Sequence, residues 1–151
     1  MNDQHKLVQE DVLRNIVKEA LAELLKADQY LLKHDVSERA LSHRLAVHVE
    51  RALESKEGSI GRWNVDCEYN RDVTNPHYPY SKRLDLPKVH DISNEEPFAR
   101  TVFPDIIVHR RGTTENLLVI EIKKTNNPEG PDFDVSRKIP AFLSQMGYNF
   151  G

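Results

Sequence analysis

The sequence predicts an α/β domain with a central mixed, mostly antiparallel sheet, helices on its faces and a helical extension at the N-terminus. Three observations predict it. Two apolar, Val/Ile-rich runs at 102–109 and 117–124 flank a polar turn, HRRGTTEN, and read as interior strands. A connection that short cannot hold a crossover helix, so the two runs pair as an antiparallel hairpin. Long stretches with apolar residues three and four apart precede the hairpin at 8–28 and 35–55, and a stretch of strict alternation lies at 63–69.

In chain order, Val8, Val12, Leu13, Ile16, Val17, Ala20, Leu21, Leu24 and Leu25 share one side of the first helix. The stripe is wide and needs a partner, either the body of the domain or a second copy in a homodimer. Residues 28–35 read as a turn or one more helical turn, with Tyr30, Leu31 and Leu32 packing inward. The second helix starts at Asp35 or Ser37 and buries Leu41, Leu45, Ala46, Val49 and Leu53. Asp35 and Glu38 have capping-box spacing; with Ser37 as the cap instead, Glu38 falls in the first turn, where the helix's positive end favours a carboxylate. His43 and His48 diverge around this helix, and Arg44 and Glu50 face solvent. After a turn at 56–61, Trp63, Val65, Cys67 and Tyr69 alternate with Asn64, Asp66, Glu68 and Asn70, a strand with one face on the core. Cys67 reads as a buried small hydrophobe.

Residues 71–99 carry Pro76, Pro79, Pro87 and Pro97 and show no sustained period, so a long irregular loop is expected. Its Lys82, Arg83 and Lys88, with Tyr78 and Tyr80, have the chemistry to touch a polyanion. A last helix covers 134–145, burying Val135, Ile139, Phe142, Leu143 and Met146. Pro140 implies a kink or restart there, and Lys138 is expected on the exposed side, near the charged end of the hairpin. A further strand is either missing or just starting at Tyr148, and the domain is expected to continue past Gly151.

At 151 residues the chain has the size of one domain with a proper core. A single cysteine excludes an internal disulfide framework. No apolar run approaches the ~20 residues needed to span a bilayer, and MNDQHKLVQEDV lacks a signal peptide's pattern. These features imply a cytoplasmic protein without a membrane partner. Lys and Arg number 21 against 24 Asp and Glu, a net charge of -3, which argues against a strongly basic nonspecific nucleic-acid binder. The absence of CxxC, HExxH, GxSxG and GxxxxGK[ST] disfavours a structural zinc site, a zincin, a serine hydrolase of the elbow type and a Walker ATPase.

Three charges intrude on the apolar hairpin: Asp105, Glu121 and Lys123. Residues two apart on a strand share a face, so Glu121 and Lys123 point the same way. With Asp105 beside them, two carboxylates and an ammonium meet at the rim of a sheet, where burial is costly unless the charges are paired or hold a metal. Two carboxylates, with the backbone carbonyl of Ile122, suit a hard cation such as Mg²⁺, which keeps several waters. Lys123 then orients a water or stabilises developing negative charge. The alternative is a buried ion pair between Lys123 and one carboxylate that closes the end of the sheet.

Pro104-Asp105, fifteen intervening residues and Glu121-Ile122-Lys123 together resemble the signature of the PD-(D/E)XK nuclease superfamily, the restriction-endonuclease-like fold. The family's order of helix, three-stranded meander, helix and further strand is similar to the order 35–55, 63–69, 102–109, 117–124, 134–145 and the strand starting at Tyr148. The resemblance implies a nuclease-like domain over 35–151, with 1–34 as a helical addition. It implies that Asp105 and Glu121 bind Mg²⁺ or Mn²⁺ and that Lys123 assists the water. It also implies a carboxylate from the first core helix, for which Glu38 is the best fit and Glu50 the second. The expected function is metal-dependent hydrolysis of nucleic-acid phosphodiesters, DNA foremost, with Arg100, Arg110, Arg111, Lys124 and Lys138 as backbone contacts. The alternatives are a noncatalytic nucleic-acid- or protein-binding module on the same fold, a catalytic part of a larger assembly, and a dimerising or adaptor element. Fold kinship fixes the chemistry far better than the substrate.

Overall fold

A computed structural model describes residues 3–69, 83–86, 98–101, 103–124 and 131–151. Its elements follow in the order α1 (Asp3–Ala27), α2 (Gln29–Lys33), α3 (Glu38–Glu54), α4 (Glu57–Ile60), β1 (Asn64–Cys67), β2 (Arg83–Leu86), β3 (Phe98–Thr101), β4 (Ile106–His109), β5 (Asn116–Ile120), α5 (Pro131–Met146) and β6 (Tyr148–Phe150). The chain divides into two compact units, Met1–Cys67 and Glu68–Gly151.

In the first unit the 3.6-residue period does what it promises. Leu13, Ile16, Ala20 and Leu24 of α1 are buried, as are Leu45, Ala46, Val49 and Leu53 of α3, and the two helices pack together. Each large apolar side chain buried there contributes about 1.5–3 kcal/mol. The buried stripe is narrower than the sequence implies, since Leu21 and Leu25 are 42% and 59% exposed. Tyr30 and Leu32 are also exposed rather than packed inward. The five-residue α2 that carries them has no buried residue, being too short to develop a packed face.

Ser37, not Asp35, caps α3. Its backbone is extended, and its Oγ accepts the Ala40 amide at 3.3 Å. Asp35 instead adopts a positive φ of 50°. Asp28, between α1 and α2, ties that corner to α3. Its Oδ1 accepts from Arg44 Nε at 2.9 Å and its Oδ2 from His48 Nε2 at 2.7 Å. Arg44 is therefore engaged rather than solvated. The His48 hydrogen bond, followed by that of Arg44, holds the Asp28 carboxyl below the usual range. His43 is exposed while His48 is buried, so the two do diverge. The expected turn at 56–61 contains the short α4, and Trp63 Nε1 donates to the Ile60 carbonyl at 2.9 Å. Cys67 ends β1 exposed, contrary to the buried position its alternation implies. The positive φ of 50° at Glu68 breaks the strand period there.

The second unit is built on the predicted hairpin. β4 and β5 pair antiparallel through Ile106↔Ile120, Ile107↔Val119 and Val108↔Leu118, with an irregularity before His109↔Asn116. Every residue of β4 is buried, as are the first four of β5, as expected of strands covered on both faces. β6 joins β5 in parallel, opposing Tyr148 to Asn116 and Phe150 to Leu118, so the sheet is mixed. The strand beginning at Tyr148 thus forms. Ile107, Val119, Ala141, Phe142 and Tyr148 make one core cluster, with Ile139, Leu143, Met146 and Tyr69 packed on it. Helix α5 runs through Pro140 without restarting. Gly147, at φ 65°, turns the chain from α5 into β6, a backbone state that suits glycine. Asn116 Nδ2 donates to the Met146 carbonyl at 2.7 Å and fixes that end of the helix to the hairpin.

The stretch 71–99 is not wholly irregular. β2 and β3 pair antiparallel from Arg83↔Thr101 to Leu86↔Phe98. Tyr78, Tyr80, Lys82 and Lys88 lie outside the described residues. The chain is thus of mixed α/β class, and among its described residues no helix is long and apolar enough to cross a membrane.

Candidate functional site

Asp105 and Glu121 stand just beyond the last pair of the hairpin ladder, Ile106↔Ile120. The strands are shorter than the apolar runs, so 121–124 continue past β5 in non-strand backbone. Lys123 and Glu121 therefore lie beyond the ladder on which the strand alternation was read. Two local causes stop the ladder. Pro104 has no N–H to extend it, and the Asp105 carboxylate itself takes the next donor, with Oδ2 accepting the Ile122 amide at 2.7 Å. The Glu68 amide donates to the carbonyls of Pro104 and Asp105 at 3.1 and 3.3 Å, so this short segment is held from both sides.

Glu121 is the most unusual group of the second unit. Its side chain is 2% exposed, and its Oε2 lies 3.5 Å from Lys138 Nζ on α5. Its Oε1 is buried and has no hydrogen-bond partner among the described residues. Burial pushes the carboxyl up to about 7, against the pull of the Lys138 ammonium; the Asp105 charge raises it further, and hydrogen bonds from Lys138 and the Asp105 backbone oppose the rise. Burial and the neighbouring Asp105 charge both favour the neutral form of this carboxyl.

Of the other expected site residues, Lys123 and Lys124 are half-buried just downstream of Glu121. Glu38 sits in the first turn of α3 in the first unit, whereas Asp105, Glu121, Ile122 and Lys123 belong to the second. Arg110 and Arg111 fall in the hairpin turn, at the opposite end of β4 from Asp105, roughly 13 Å of strand away. Arg110 Nη1 donates to both carboxylate oxygens of Glu115 at 2.9 and 2.8 Å and so closes its own turn. Arg100 lies in β3 opposite Leu84. Lys138 is not on an exposed side: its side chain is 18% exposed and faces Glu121. Its spacing held the clue, since it follows Val135 by three residues and precedes Phe142 by four, on the apolar face.

Among the described residues no group of three or more His, Cys, Asp and Glu side chains is gathered to hold a metal. The donors present still fit a hard divalent cation, which retains water ligands and needs as few as one or two protein carboxylates. Asp105 and Glu121 are oxygen donors, and Glu121 Oε1 has no hydrogen-bond partner among the described residues.

No family model, no curated protein and no solved structure matches this chain.

Proposed function

We propose that this chain is a metal-dependent phosphodiester hydrolase acting on nucleic acid, with DNA as the expected substrate, and that its fold is of the restriction-endonuclease-like kind. The observation that carries the reading is Glu121: a buried carboxylate with one oxygen unmatched, beside Asp105, at the end of a two-sided apolar hairpin. Asp105 and Glu121 would hold Mg²⁺ or Mn²⁺ through their carboxylates, with the Ile122 carbonyl as a further oxygen. Such a cation, when bound, polarises a phosphate oxygen and lowers the pKa of a coordinated water. Lys123 orients the attacking water or bears against developing negative charge. The Ile122 amide steadies the Asp105 carboxylate at one oxygen. Glu38 enters this reading from the resemblance alone, as an auxiliary carboxylate.

One observation favours the second reading, a noncatalytic module on the same fold. Lys138 already offers Glu121 a partner. A buried ion pair of that kind occupies a sheet end without doing chemistry, and breaking it leaves an uncompensated charge.

The deciding experiment is cleavage of linear, single-stranded, branched and supercoiled DNA and of RNA, in Mg²⁺, Mn²⁺ or EDTA. Asp105→Asn, Lys123→Ala and Glu38→Gln proteins run in parallel, each checked for folding by circular dichroism. Metal-dependent cutting abolished by the first two supports hydrolysis. No cutting of any substrate, together with no calorimetric sign of cation binding, favours the noncatalytic module.

A further inference from the structure

We propose that Lys138 is an internal counter-ion of this site: its ammonium occupies Glu121 Oε2 in the cation-free protein and yields that carboxylate when a divalent cation binds. The inference rests on the metal-site reading above and adds a residue to it. Lys138 is a positioning residue in this scheme, acting through Glu121.

The geometry separates this role from an ordinary structural ion pair. The ammonium lies 3.5 Å from Glu121 Oε2, and Oε1 has no hydrogen-bond partner among the described residues. A buried pair that served stability alone needs its remaining lone pairs satisfied as well. Here compensation is partial, so the carboxylate retains attraction for further positive charge. The two side chains also differ in freedom. Glu121 is 2% exposed and directly follows β5, whereas Lys138 retains 18% exposure at the end of a four-carbon stem. When a second cation arrives, the lysine has the route out. Its helix stays in place, because Ala141 and Phe142, one turn further on, are locked in the core.

An ammonium and a divalent cation repel each other at one carboxylate, so each weakens the other's hold on it. By linkage, removing the lysine strengthens cation binding once Glu121 is ionised. The test is calorimetric titration of Mg²⁺ and of Ca²⁺ into the wild type, Lys138→Met and Lys138→Arg at pH 8.5. The expected result is tighter binding by Lys138→Met, on the order of tenfold, with Lys138→Arg no tighter than the wild type. Binding seen only in Lys138→Met also supports the role. Equal or weaker binding by a folded Lys138→Met overturns the counter-ion role and leaves the metal site standing. Absence of binding in all three proteins overturns the metal site and the counter-ion together.

A measurement on the wild type needs no substitution to fold. The side-chain nitrogen resonance of Lys138, followed by NMR, should shift on addition of Mg²⁺ and return with EDTA. A resonance unmoved by saturating Mg²⁺ overturns the proposal.

Discussion

Glu121 concentrates most of what this molecule has to explain. A carboxyl pushed up to about 7 by burial binds a proton more tightly in the folded than in the unfolded chain. Its contribution to stability is therefore fully present below pH 4.5 and is lost as pH rises through 7. The full swing is about 3 kcal/mol, from about 1.4 kcal/mol for each unit of displacement. Glu121→Gln keeps the shape and removes the titration. The stability of the wild type minus that of Glu121→Gln, from urea denaturation followed by circular dichroism, should fall by up to about 3 kcal/mol between pH 5 and pH 8. Parallel stability profiles for the two proteins would mean that Glu121 titrates in the ordinary carboxylate range. The convergence of Asp105 and Glu121 was legible in the sequence, because charges inside an apolar hairpin must meet near one end of it. Lys138 was expected near the charged end of the hairpin, where it lies, but on the exposed side, where it does not. A lysine 17 residues away declares its contact only when α5 is packed, although its spacing to Val135 and Phe142 pointed inward.

Element type was read more securely than element ends, and the hairpin shows why. Length and Val/Ile content mark 102–109 and 117–124 as strand, but a ladder stops where its donors are withdrawn. Pro104 and the Asp105–Ile122 bond withdraw them, and β4 and β5 contract to Ile106–His109 and Asn116–Ile120. Four-residue strands flanked by prolines, such as β2, offer too little alternation to register. For α3, the choice between Asp35 and Ser37 turned on backbone conformation, which sequence spacing does not encode: the cap needs extended backbone, and Ser37 has it. The Asp105 bond lets structure and chemistry be separated. Asp105→Ala leaves the half-buried Ile122 amide without that acceptor and should cost about 1–3 kcal/mol. Asp105→Asn retains an oxygen for that amide, so it should stay within about 1 kcal/mol of the wild type. It nevertheless removes the negative charge, and cation binding should fall at least tenfold on the order expected for a lost charged ligand. Denaturation and calorimetry on the two variants measure both quantities. An Asp105→Asn protein that binds Ca²⁺ as the wild type does would exclude Asp105 as a ligand.

Charge decides how the whole chain can meet a polyanion. With 24 acidic against 21 basic residues it cannot rely on bulk attraction, and the basic residues are dispersed. Arg110 closes its own turn against Glu115, Lys138 faces Glu121, Arg111 lies at the far end of the hairpin and Lys124 near the site. Few phosphate contacts mean few counterions released on binding. A divalent cation reverses the balance locally, because it turns a pair of carboxylates that repels phosphate into a site that attracts it. Binding to duplex DNA should therefore be weak in EDTA and should strengthen at least tenfold in Ca²⁺, which holds the site's charge while supporting little hydrolysis, as expected from the linkage of two ligands at one site. A slope of log K against log salt no steeper than about -4 is expected where the contact is confined to the carboxylate end of the hairpin. Fluorescence anisotropy of a labelled duplex over a salt series, with and without Ca²⁺, measures both. Tight binding in EDTA with a steep salt slope would place the nucleic-acid contact on a basic surface away from Asp105 and Glu121. It would also separate recognition of the polymer from the carboxylates at the end of the hairpin.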